Sequence, residues 1–150
     1  MLGSGGNSRL WNRIREKEGL SYDVRSFVDW DAHGINSWWH ASAIYAPGNR
    51  GKVEAAFRQE IERALKDGFT EKELAEGKQG LLNFRTLSRA QDRNLAGGWA
   101  RNLDLGRTFA FAAQIDAQLR ALTLDQVNAT LRKYVDPAKF VIGVAGDFKD

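Results

Sequence analysis

Apolar positions along the chain change their period several times, and each change marks an element. Leu10, Trp11, Ile14 and Glu18 recur at helical spacing, and Gly19 follows as a left-handed cap, predicting a helix over about 7–18. Alternation then takes over, with Tyr22, Val24 and Val28 at strand spacing over about 21–30. Asp31, His33, Gly34 and Asn36 read as a turn, and a second strand follows at about 37–46, closed by Pro47, Gly48 and Asn49. In that strand Trp38, His40, Ser42 and Ile44 alternate with Trp39, Ala41, Ala43 and Tyr45.

The rest reads as helical until near the end. Val53, Phe57, Ile61 and Ala64 line one face of a helix from Lys52 to about Lys66, which Gly68 ends. Thr70-x-x-Glu73 is a capping box opening the next helix, along which Leu74, Leu81 and Leu82 run. Leu95, Trp99 and Leu103 predict a helix over 88–103. Gly97-Gly98 inside it costs about 1 kcal/mol per glycine relative to alanine, so a kink or a close helix contact is expected there. A further helix spans about 108–122, and Thr123-x-x-Gln126 caps the last one, striped by Leu124, Val127, Leu131 and Tyr134. Asp136-Pro137 stops it, and the continuous apolar run Phe140 to Ala145 reads as a buried strand. The order helix, hairpin, helices, strand defines an α+β fold, an antiparallel-rich sheet with helices packed on one face.

Composition narrows the function classes. A chain of 150 residues, 43% hydrophobic and 27% charged, with two prolines, suits one packed domain, 1–150, and argues against disorder. Its net charge of +3 is too balanced to imply a nucleic-acid or anionic-membrane partner, and no apolar run approaches a membrane span. Zero cysteines exclude disulfides, thiolate-bound zinc and thiol nucleophiles. The start MLGSGGNS has neither a basic region nor an apolar one, so it reads as an initiator methionine or one placed at an internal cut. Any export signal would then lie upstream. The compartment stays open between periplasm and cytoplasm, leaning to the periplasm.

The segment SRLWNRIREKEGLSY sets a guanidinium and a phenol around a helix-to-strand corner, Arg15 in the last turns and Tyr22 at the mouth of the strand. Both could reach one carbonyl oxygen or a peptide backbone. On spacing alone, Arg15 could equally pair with Glu18 at i,i+3 while Tyr22 caps the strand.

This segment resembles the arginine and glycine-leucine-x-tyrosine signature of the C-terminal, non-zinc-binding domain of insulinase-type (pitrilysin) zinc metallopeptidases. Three weaker echoes agree: the opening LGSGGNSRL, the helix start TEKEL, and the close TLDQV, Tyr134, Asp136-Pro137 and VIGVAGD. Together they span essentially all 150 residues. Family domains usually begin with a strand, a helix and a strand before the glycine-rich opening, so the chain looks like a domain missing its front.

The resemblance implies that Arg15 and Tyr22 face a cavity shared with a zinc-bearing N-terminal domain or subunit. There they would position a peptide substrate and stabilise charge on the scissile carbonyl. It also implies a zinc cofactor in the whole enzyme and none in this chain, which would be inactive alone. The family's His-x-x-Glu-His is absent: His33 and His40 stand across a predicted turn and strand, where a loop position and a place on the sheet beside Trp38 or Trp39 are expected. A non-catalytic partner subunit of a processing peptidase, or a peptide-binding module using a sheet edge, is the alternative.

Three further expectations concern surfaces. Arg85, Arg89 and Arg93 form a basic stripe, read as a solvated helix face or a contact with a partner domain. One of Trp38 and Trp39 packs under the helices while the other faces the cavity or a neighbouring chain, unless twist and loop cover bury both. Strands lacking their neighbours present an open edge, so the chain is expected to self-associate.

Overall fold

The computed structural model describes residues 1–3 and 5–147; Ser4, in the glycine-rich opening, lies outside them. A π-helix spans Trp11–Lys17 and leads into an antiparallel hairpin, β1 (Ser21–Asp29) and β2 (Trp38–Tyr45). Five helices follow: α1 (Arg50–Asp67), α2 (Glu71–Arg89), α3 (Asp92–Asp104), α4 (Ala110–Ala121) and α5 (Leu124–Tyr134). This is the predicted α+β fold, with the sheet reduced to two strands among the described residues.

The core sits where the hairpin meets the π-helix and α1. Leu10, Ile14, Leu20, Val24, Val53 and Ala56 are buried together, with Trp11, Ala41, Ala43, Tyr45 and Phe57 packed against them. The odd-numbered face of β2 therefore turns to the helices. Trp39 joins it, its ring 6.2 Å from that of Phe57 and 5.6 Å from that of Phe140. Trp38 lies on the opposite face and stacks on His40 at 4.7 Å, so the two tryptophans divide as the alternation requires.

Side chains pin the helix corners. Both halves of the Thr70–Glu73 and Thr123–Gln126 capping boxes form. Gly68 closes α1 at φ +74°, and a β-carbon there would lie 2.8 Å from the Asn128 amide nitrogen. That approach lets Asn128 of α5 accept from Phe69 N at 2.7 Å and donate to Phe69 O at 3.3 Å, so one amide holds the α1–α2 corner.

Five expectations are corrected. The helix predicted over 88–103 straddles a break: α2 ends at Arg89, Gln91 is extended, and α3 starts at Asp92. Alanine at 90 is the best helix former, so nothing local announces the interruption. Gly97 and Gly98 lie inside a continuous α3 with open space around both, and no neighbour approaches them closely.

Arg85 and Arg89 are not a free basic stripe. Arg85 Nε donates to Asp116 Oδ1 and Arg89 Nη2 donates to Oδ2 at 2.8 Å, tying α2 to the buried Asp116 of α4.

Phe140 to Ala145 forms no strand. Phe140 is half-buried, but Val141 is 97% exposed and Val144 36%. A strand exists only where a neighbouring backbone takes its N–H and C=O groups. Here an open groove of about 960 Å³ lies between this segment and β2, floored by Val53 and Phe57.

The last correction concerns Tyr22, expected in phase with Val24 and Val28. Val24 is 2% exposed, Tyr22 80% and Val28 64%.

Candidate functional site at the helix-to-strand corner

The backbone explains why Tyr22 points away from the core. Ser21 pairs with Tyr45 and Asp23 with Ile44, two steps along β1 against one along β2, so Tyr22 is the extra residue of a β-bulge. A bulge shifts the side-chain phase by one position. Ser21 thereby joins the inner face, 7% exposed, and Tyr22 is turned outward. The Ser21 hydroxyl lies 2.7 Å from Ile44 O and 2.9 Å from Asp23 O, bridging the strands where the ladder is interrupted.

The corner before it is closed by Gly19 at φ +60°. Gly19 N donates to Arg15 O at 3.1 Å and Leu20 N to Ile14 O at 2.9 Å. The first is the five-to-one bond of a left-handed glycine cap, and the second reaches one residue further back than the usual Schellman closure. Asn49 Nδ2 donates to Leu20 O at 3.2 Å and braces the corner from the start of α1.

Arg15 and Tyr22 are brought together by this corner. The Arg15 guanidinium carbon lies over the Tyr22 ring, 5.2 Å from its centroid, and over the Trp11 ring at 4.2 Å. The Arg15 side chain is 35% exposed, with Glu16 as its carboxylate neighbour at 3.7 Å. Glu18 pairs instead with Arg13, so the i,i+3 pairing that spacing allowed for Arg15 does not form. Neither the Arg15 nor the Tyr22 side chain hydrogen-bonds to another described residue, leaving guanidinium N–H groups and a phenol available side by side to an external oxygen.

The histidines do not meet. His33 lies in the hairpin loop with Nε2 3.1 Å from Asp104 Oδ2, while His40 packs on the outer face of β2 between Phe27 and Trp38. Among the described residues no group of three or more His, Asp or Glu side chains converges to hold a metal. Among the described residues no helix is long and apolar enough to cross a membrane.

The sequence signature singles out Arg15 and Tyr22 but not the side chains the structure sets around them. Trp11 and Arg15 are four apart, a spacing that could have marked the ring–cation contact. For Ser21 no signal exists in the sequence, because its role depends on the bulge.

The fold is shared with solved structures. A peptidase M16 inactive domain from Pseudomonas fluorescens is 24% identical with a TM-score of 0.72, over 88% of this chain and 31% of that one. A conserved protein from Enterococcus faecalis is 21% identical, TM-score 0.72, over 87% of this chain and 30% of that one. The chain thus spans less than a third of the length of either. A profile of the peptidase M16 inactive domain matches residues 1–81, which contain the whole corner and both strands, and the chain belongs to that family. No curated protein matches its sequence.

Proposed function

We propose that the chain is the substrate-binding half of a zinc-dependent metalloendopeptidase, working opposite a zinc-bearing domain or subunit and inactive alone. Residues 1–150 form one part of the peptidase C-terminal domain. The observation that carries this reading is the corner itself: a half-buried guanidinium beside an exposed phenol, neither hydrogen-bonded to another described residue. Such donors, held before the ligand arrives, bind a peptide carbonyl and stabilise charge that develops on its oxygen.

Zinc, when bound in the whole enzyme, supplies the activated water. Its ligands are assigned to the partner domain or subunit; in this chain the two histidines stand apart, His33 in the hairpin loop and His40 on β2. What the chain's own residues do is bind and orient: Arg15 offers N–H groups to a carbonyl oxygen, and Tyr22 offers its hydroxyl to the substrate backbone.

Kinetics of the intact peptidase test the reading. Arg15→Ala and Tyr22→Phe are each expected to lower kcat/KM by about 2–4 kcal/mol of transition-state stabilisation while the domain stays folded. Unchanged kinetics in folded variants would return both residues to corner packing. The coding sequence upstream separates the peptidase from a non-catalytic partner subunit: His-x-x-Glu-His there, or in an adjacent gene, supports the former.

A further inference from the structure

The Arg15–Tyr22 reading leaves one side chain of the π-helix unused. Trp11 is half-buried, packed against the core by its ring, while its indole Nε1 donates to Glu16 Oε1 at 2.9 Å. The same carboxylate oxygen lies 3.7 Å from Arg15 Nε. The Arg15 guanidinium carbon sits closer to the indole centroid, at 4.2 Å, than to the Tyr22 ring. Four side chains thus form a relay from the core to the surface: Glu16 holds Trp11, Trp11 carries Arg15, and Arg15 meets Tyr22.

We propose that Trp11 is a positioning residue, whose indole, tied by Glu16, fixes the Arg15 guanidinium beside Tyr22 so that the cation is oriented before a peptide oxygen reaches it. The proposal rests on Arg15 and Tyr22 as the peptide-binding pair and concerns how that pair is held. A long arginine side chain free in solvent loses rotamer freedom when it grips a ligand, and that loss subtracts from affinity. Contact with two rings removes the freedom beforehand, and the attraction between cation and ring holds the geometry. The π-helix makes the arrangement reachable: in a helix bonded i to i+5, residues four and five apart share one side, which places both Arg15 and Glu16 against Trp11.

Nuclear magnetic resonance on the full chain labelled with nitrogen-15 tests it. The Arg15 Nε–Hε resonance, identified by its loss in Arg15→Lys, is expected upfield of a free arginine because of the ring currents. The displacement should collapse in Trp11→Leu and largely persist in Trp11→Phe, which keeps a ring. An ordinary Arg15 resonance in the unaltered chain, or one indifferent to Trp11→Leu, overturns the proposal. Should Trp11→Leu fail to fold, Glu16→Ala at an exposed position decides: the displacement shrinks if that carboxylate holds the indole, and an unmoved resonance overturns it. Titration with a capped tetra-alanine peptide gives the functional arm. Trp11→Leu should weaken binding about tenfold and Trp11→Phe by less than about threefold, with no further loss when Arg15 is already alanine. An equal loss without Arg15 would mean that Trp11 acts through packing alone. If the peptide fails to bind the unaltered chain, the peptide-binding reading falls, while the Arg15 resonance still judges how the cation is held.

Discussion

Arg9 and Glu73, 64 residues apart in the chain, meet through two hydrogen bonds, Nε to Oε1 at 2.5 Å and Nη2 to Oε2 at 2.8 Å. The same Nη2 donates to Gly68 O at 2.6 Å, and Glu73 Oε2 accepts from Thr70 N at 2.8 Å. The start of the π-helix, the end of α1 and the start of α2 are thereby joined in one polar knot.

That knot sets a pH dependence. The Arg9 hydrogen bond, opposed by burial and helped by Thr70, lowers the Glu73 carboxyl from 4.5 to about 2. Between those values the unfolded chain takes up a proton that the native one refuses. Stability present above about pH 4.5 is therefore lost progressively as pH falls toward about 2. Glu73→Gln should cost about 1–3 kcal/mol near neutral pH and flatten the acid loss, read by urea denaturation at neutral and acid pH. Equal acid slopes in both proteins would assign the titration to another group.

Asp116 joins α4 to α2 through two guanidiniums at once. Burial pushes its carboxyl up, but the hydrogen bonds and charges of Arg85 and Arg89 outweigh that and leave it below the usual carboxylate range. Asp116→Asn leaves two neighbouring cations without their counter-charge and is expected to cost about 2–4 kcal/mol. Arg93→Ala, in the same sequence stripe but outside this cluster, should change stability by less than about 0.5 kcal/mol. Thermal and denaturant unfolding of the two variants checks the contrast.

Ser21→Ala removes the hydroxyl that bridges Asp23 O and Ile44 O at the bulge. A stability loss of about 1 kcal/mol is expected. If the bulge then relaxes toward a regular ladder, Tyr22 swings toward the inner face and peptide turnover in the intact enzyme falls with it. Denaturation and steady-state kinetics on one variant separate the two effects; turnover equal to that of the unaltered enzyme would show that Tyr22 keeps its aim without Ser21.

Among the described residues β2 pairs with β1 alone, and the Phe140 to Ala145 segment lies across an open groove from it. Unpaired strand edges and exposed apolar surface recruit other chains, so the chain should be a dimer or larger. Light scattering over a dilution series reads this directly. A monomer persisting at high concentration would contradict it.

The local grammar of this chain was written in its sequence. Thr70 with Glu73, Thr123 with Gln126 and Gly19 at its corner each act within a few residues. A hydroxyl, a carboxylate or a missing β-carbon acts there whatever the rest of the molecule does. Arg15 and Tyr22 stood out for the same reason, through a short signature around one turn. What lay beyond the sequence depended on partners far along the chain. Arg85 and Arg89 looked like a solvated stripe because Asp116 is remote until α4 folds back on α2. The apolar run from Phe140 looked like a strand because composition reports affinity for a sheet, whereas a strand needs a backbone beside it. Tyr22 is the sharpest case: period-two alternation put it in phase with Val24. Its exposure comes from one extra residue in the pairing register of β1 on β2, a quantity that belongs to two strands together.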